Sequence, residues 1–186
     1  MIVIPMAGLS SRFSQAGYPK PKYELPLGGK TVFEYSVLSF KRYFEDETFC
    51  FITRKELNAK NFIESALNRL NVQHYQIVEL ESETLGQADT VFQGIRDIEE
   101  QPLIVFNIDT FIDDYQKPEW LTECDGYLEV FYEQGNHWSF AVPGPDCSVL
   151  RTAEKERLSD LCSDGLYFFK SSTQFSKLVE KALESN

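Results

Sequence analysis

Residues 2–12, Ile2-Val3-Ile4-Pro5-Met6-Ala7-Gly8-Leu9-Ser10-Ser11-Arg12, set an apolar run against a turn of small residues, hydroxyls and one guanidinium. Ile2, Val3 and Ile4 show no polar alternation, which is the pattern of a strand buried on both faces of a parallel sheet. Pro5 and Gly8 stop the run. The loop that follows has the chemistry of an anion cradle. Gly8 carries no side chain to block a ligand, and Ser10 and Ser11 can present backbone N–H groups to phosphate oxygens. The planar fork of Arg12 can grip two such oxygens. Lys22, after the rigid Pro21, adds a point charge further along. A clamp at the C-terminal edge of a parallel strand sits where α/β proteins place their ligands. A plain surface turn with incidental basic residues is the alternative on spacing alone. Two familiar phosphate loops fail: Ser10 stands where GxGxxG needs its second glycine, and no GxxxxGK[ST] occurs.

Outward from this loop, strands and helices alternate. Gly8 to Gly29 holds three prolines and four glycines and reads as neither helix nor strand. Thr31 can cap a helix carrying Val32, Phe33, Val37 and Phe40 at helical spacing. Residues 48–53 (TFCFIT) read as a second strand. Asn58 is the expected cap of a helix with Phe62, Ile63, Ala66, Leu67 and Leu70 on one face, and 72–80 the expected third strand. Thr84 precedes a helix carrying Ala88, Val91, Phe92 and Ile95. Residues 103–108 (LIVFNI) are the clearest buried strand. Alternation of this kind predicts an α/β fold with a parallel sheet, because parallel strands need a crossover and a helix usually supplies it. Beyond residue 120 the spacing changes to shorter, aromatic-rich strands at 127–132, 138–142 and 166–169. Ser172 is the expected cap of a last helix, with Phe175, Leu178, Val179 and Ala182 facing inward. No repeat or linker interrupts 1–186, which predicts a single domain.

The 186 residues carry 18 Lys+Arg against 29 Asp+Glu, a formal charge of −11 that argues against a general nucleic-acid binder. The charge is uneven: residues 1–30 are net +3 and residues 31–186 net −14. Four scattered cysteines without CxxC and only two histidines make a zinc site improbable and predict free thiols in a reducing cytoplasm. The apolar Met1–Met6 run is broken almost at once by glycine and arginine, unlike a signal peptide, and no window approaches the ~20 apolar residues of a membrane span. A cytoplasmic protein with no membrane partner is the expectation.

The run 1–37, MIVIPMAGLSSRFSQAGYPKPKYELPLGGKTVFEYSV, resembles the signature of the sugar-phosphate nucleotidyltransferase family. That signature has an apolar strand, an AAGxGxR-type loop, a PK with an apolar stretch, and a GK before a helix. Ser10 departs from it, since many members have glycine there. Leu85-Gly86-Gln87-Ala88, Asn107-Ile108-Asp109 and Glu154-Lys155 with Asp164-Gly165-Leu166-Tyr167 fit the same family in the same order. The resemblance thus covers about residues 1–170.

It implies a Rossmann-like, mostly parallel sheet flanked by helices. Residues 1–115 or so would form a nucleotide-binding half, and about 116–186 a mixed, strand-rich acceptor-binding half. It implies an enzyme that joins a nucleoside triphosphate to a phosphorylated small-molecule acceptor and releases pyrophosphate, with Mg²⁺ as cofactor. Capsule or lipopolysaccharide precursors are the implied destination. Arg12 would hold the triphosphate, Lys22 would neutralise charge on the α-phosphate, and Asp109 would ligate the metal. Asp109 directly follows the buried 103–108 strand, so its carboxylate should emerge at the sheet's edge, although a turn Asp reads the same way without the other motifs. Ala7, Gly8, Leu9, Ser10 and Ser11 would cradle phosphates. Gly86 and Gln87 would meet the base, where the acceptor and two donors of Gln87 suit a pyrimidine (CTP, UTP or dTTP). Glu154, Lys155, Asp164 and Gly165 would belong to the acceptor site, or Glu154-Lys155 to a solvated ion pair. Family members run on for some tens of residues and draw a second metal-binding carboxylate from there. A shortened form, a substituted ligand, or a catalytically weak regulatory or scaffold domain are the alternatives this leaves open. Homo-oligomers are common in the family.

Overall fold

The computed structural model describes residues 1–8, 13, 15, 17, 18 and 20–185. Its centre is an eight-stranded mixed sheet. Strands β1 (Ile2–Pro5), β4 (Phe49–Arg54), β5 (Tyr75–Leu80) and β6 (Leu103–Phe106) lie parallel in the order β5-β4-β1-β6. Two short strands, β2 (Pro26–Leu27) and β3 (Lys30–Thr31), form a separate hairpin. The second half adds β7 (Gly126–Tyr132), β8 (Ser139–Pro143), β9 (Val149–Glu154) and β10 (Leu161–Phe169). β10 runs antiparallel to β6 and carries β7 and β8, while β9 pairs with β8 at the edge.

The apolar strands dictate the layering. Side chains alternate across a strand, so an all-apolar strand needs cover on both faces. Ile2, Ile4, Phe49, Phe51, Ile104 and Phe106 pack with Phe33 and Val37 of α1 (Val32–Leu38) and Ile63, Ala66 and Leu67 of α2 (Lys60–Leu70). Val3, Cys50, Ile52, Leu103 and Val105 face the other way, onto Val91 of α3 (Gln87–Gly94) and Phe175 and Val179 of α4 (Ser172–Glu184). At Gly94 the helix comes so close to the sheet that an added Cβ would lie 2.4 Å from Ile52 Cδ1. The mostly parallel α/β expectation therefore holds, with helices on both faces.

Local chemistry sets the ends. Thr31 caps α1 in a full capping box: its Oγ1 accepts from Glu34 N, and Glu34 Oε2 accepts from Thr31 N at 2.8 Å. Asn58 is not the cap of α2. It adopts φ 48° to close the short turn Lys55–Leu57, and the helix starts after Ala59. Ser171, not Ser172, caps α4, accepting from Gln174 N at 3.0 Å. Leu178 and Ala182 are exposed instead of inward-facing, because the buried row runs through Phe175 and Val179 toward Leu183. Strand β9 has no counterpart in the sequence reading. It is exposed along almost its whole length, so no apolar alternation marks it. All four cysteines are free thiols, and among the described residues no helix is long and apolar enough to cross a membrane.

Candidate active site

The chain places β4 and β5 on one side of β1, then returns to place β6 on the other. The switch point lies between the C-terminal ends of β1 and β6, where open α/β sheets form a crevice. A cavity of about 460 Å³ occupies that position, a size within the usual range for small-molecule sites. The end of β1 contributes Pro5, Met6, Ala7 and Gly8, and the end of β6 contributes Asn107, Ile108 and Asp109. Arg54 closes β4, while Glu83, Thr84, Gly86, Gln87 and Thr90 come from the β5–α3 connection and α3 itself.

Lys22 reaches this cavity because Pro21, held extended at φ −54° and ψ 148°, launches the short helical turn Lys22–Glu24 over it. Lys22 Nζ donates to Asp109 Oδ2 at 2.5 Å. Both side chains remain partly solvated, so the pair is accessible to an incoming ligand. Tyr23, beside it, is buried to 1% exposure, and burial pushes its phenol up to about 12. Gln87, the first residue of α3, donates from Nε2 to Asn107 Oδ1 at 2.6 Å. Asn107 is tied on three sides. Its carbonyl accepts from Ser36 Oγ at 3.0 Å, its N–H donates to Gly165 O at 3.1 Å, and its side chain meets Gln87. The β5–α3 connection is held by Leu85 N donating to Asp89 Oδ2 at 2.8 Å and by a 2.6 Å contact between the Thr84 and Thr90 hydroxyls.

The sequence-derived residues divide into four groups. Ala7, Gly8, Lys22, Gly86, Gln87 and Asp109 converge on the cavity. Leu9, Ser10, Ser11 and Arg12 lie outside the described residues. Asp164 and Gly165 sit in β10 against the end of β6, where Thr110 Oγ1 donates to Asp164 O at 2.9 Å. Burial raises the carboxyl pKa of Asp164, and burial with the nearby Asp164 charge raises that of Glu129. Glu154 and Lys155, in contrast, are not among the residues lining the cavity. They pair with each other at 3.0 Å at the β9 edge, and Ser139 Oγ donates to Glu154. Four lining residues lie outside every motif read from the sequence: Arg54, Glu83, Thr84 and Thr90. Arg54 had a signal, since a charged residue directly after a buried parallel strand emerges at the ligand edge, as Asp109 does after β6.

A search of solved structures places the nucleoside-diphosphate-sugar pyrophosphorylase from Vibrio cholerae RC9 beside this chain at 43% identity and a TM-score of 0.93, covering 98% of this chain and 78% of that one. The chain belongs to the sugar-phosphate nucleotidyltransferase family. It is accordingly an enzyme of nucleotidyl transfer. The fold of this nucleotidyltransferase recurs at lower identity. A UDP-glucose pyrophosphorylase complexed with UDP-glucose matches at 16% identity and TM-score 0.74, over 96% of this chain and 78% of that one. The inositol-1-phosphate CTP transferase from T. maritima matches at 15% and 0.76, over 94% and 71%. No protein-family model and no curated protein matches the sequence.

Proposed function

We propose that the nucleotidyltransferase transfers a nucleoside monophosphate from a pyrimidine triphosphate, CTP, UTP or dTTP, to a sugar phosphate or another small phosphorylated acceptor. An oxygen of the acceptor phosphate attacks the α-phosphorus, the bond to the bridging α–β oxygen breaks, and pyrophosphate leaves with the electron pair. The observation that carries the reading is the Lys22–Asp109 pair at the rim of a switch-point cavity. Phosphoryl transfer needs little covalent chemistry from a protein and much charge placement. Lys22 supplies a fixed cation against the α-phosphate, and Arg12 one for the departing pyrophosphate.

Asp109 is the residue to hold Mg²⁺. Among the described residues no group of three or more His, Cys, Asp or Glu is arranged around a metal. That suits Mg²⁺, which takes one or two carboxylates and fills its shell with substrate phosphates and water. When bound, the ion neutralises phosphate charge. Gly86 and Gln87 face the base, and Ala7 to Ser11 the phosphates. Asp164 and Gly165 begin the acceptor side within about residues 116–186, with Glu154 and Lys155 further out on the β9 edge. Activated sugars for surface polysaccharide are the product class the family resemblance points to. The test is pyrophosphate release with Mg²⁺, screening CTP, UTP, dTTP, GTP and ATP against a panel of sugar phosphates and other phosphorylated acceptors. Turnover confined to a purine triphosphate (ATP or GTP), or none with any pair, overturns the reading.

A further inference from the structure

Among the described residues Arg54 is the largest fully buried side chain, 2% exposed, and it forms part of the cavity wall. Burying a guanidinium is costly unless its donors are matched. Here they are not. Nη1 lies 3.2 Å from Glu83 Oε1 and Nη2 lies 2.7 Å from Glu56 Oε1, yet Nε and Nη2 make no hydrogen bond, so the Glu56 contact is an ion pair without alignment. The two carboxylates are 64% and 68% exposed, on short connections after β4 and β5. The cation is therefore held in the wall, while its two partners lie at the solvent side. Native proteins rarely leave such donors unmatched, and an unmatched set in a cavity wall marks a place where a ligand acceptor belongs.

Which acceptor follows from position and chemistry. Lys22 and Asp109 stand at the β6 side of the cavity, where the phosphates belong. Arg54 ends β4, on the far side of β1 and beside the β5–α3 connection that carries Glu83, Thr84, Gly86 and Gln87. That is the end assigned above to the base. We infer that Arg54 is a specificity-determining residue that reads the carbonyl-bearing edge of the nucleotide base and rejects adenine. The inference rests on the transferase reading and deepens it. Arginine has donors only. Uracil and thymine offer carbonyl oxygens, cytosine a carbonyl oxygen beside a ring-nitrogen acceptor, and guanine O6 beside N7. Adenine alone among these bases carries no carbonyl, and its exocyclic amino group is a donor that would meet the guanidinium donor to donor. Glu83 occupies Nη1 while the base is absent and swings to solvent when it arrives.

The experiment measures equilibrium binding of UTP, CTP, GTP, ATP and inorganic tripolyphosphate at constant Mg²⁺, for the unmodified enzyme, Arg54→Gln and Glu83→Gln. Arg54→Gln should lower the preference for UTP over ATP about tenfold or more, the range of one good two-point base contact, and leave tripolyphosphate binding within about twofold. Glu83→Gln, a surface change that does not threaten folding, should raise the same preference by freeing Nη1. Equal loss for all nucleotides and tripolyphosphate in Arg54→Gln would make the residue a phosphate or structural cation and overturn the inference. If Arg54→Gln does not fold, Glu83→Gln decides alone, and an unchanged UTP/ATP ratio there overturns it. An unmodified enzyme that binds no nucleotide and releases no pyrophosphate overturns the transferase reading as well; one that turns over with unaltered base selection in both variants overturns only the role of Arg54.

Discussion

Lys22 Nζ and Asp109 Oδ2, 87 residues apart in the chain, meet at 2.5 Å across the mouth of the cavity. Their side chains are 30% and 46% exposed, so water screens the pair and its net worth to stability is small, about 0–1 kcal/mol. A structural ion pair would be a poor use of two charges at a switch point. A pair that opens when a triphosphate and its metal arrive keeps both groups in place at little cost.

Lys22→Ala should accordingly lower kcat for pyrophosphate release by about 10²–10³-fold, the range for losing one charge-stabilising group, while nucleotide affinity falls far less. Steady-state kinetics beside equilibrium binding of the nucleotide checks this. Equal losses in both would show that Lys22 acts in ground-state binding only.

Gly165→Ala should cost roughly 2–5 kcal/mol in a denaturant titration, the combined range for forcing a side chain into a left-handed conformation and for overpacking. Gly165 sits at φ +93°, and its Cβ would lie 2.0 Å from Asn107 Nδ2. Since Asn107 also holds Gln87, KM for the nucleotide should rise along with the loss of stability.

Glu100 links the loop before β6 to the start of α4, with Oε2 accepting from Thr173 N at 2.8 Å and from Ser172 Oγ at 3.1 Å. Hydrogen bonds from Ser171 and Thr173 hold its carboxyl down to about 2, from an ordinary value of 4.5. A depressed folded value stabilises above the unfolded pKa and is lost as pH falls through the folded one. Melting temperature should therefore drop between pH 4.5 and 2 in the unmodified chain, with a flatter profile in Glu100→Gln. Superimposable profiles would show that the carboxylate contributes nothing.

Glu129 has the opposite sign. Burial first, and the Asp164 charge second, raise its folded pKa above 4.5. Its contribution is present below the unfolded pKa and lost as pH rises through the folded value. Glu129→Gln should melt higher than the unmodified chain at pH 7, and the two should converge below about pH 4. A lower melting temperature at neutral pH would contradict this assignment.

Much of the architecture was legible. The unbroken apolar runs at 2–4 and 103–106 name strands covered on both faces, and the helices between them name the crossovers. The two misplaced caps share one cause. Asn58 and Ser172 are plausible caps by type, but a cap is a geometry, and neighbouring residues took it. β9 stayed hidden because an exposed edge strand makes no apolar demand on its sequence.

The site shows the same division. The sequence by itself determined the parallel α/β frame and the charged or small residues at strand ends, because strand burial and turn chemistry are local properties. Only the tertiary structure decided that Lys22 faces Asp109, that Asn107 joins Gln87 to Gly165, and that Glu154 and Lys155 stand apart from the cavity. It alone made Arg54 interesting. A guanidinium after a strand is ordinary in a sequence; it becomes a candidate for recognition when packing removes its water and leaves Nε and Nη2 without an aligned hydrogen bond.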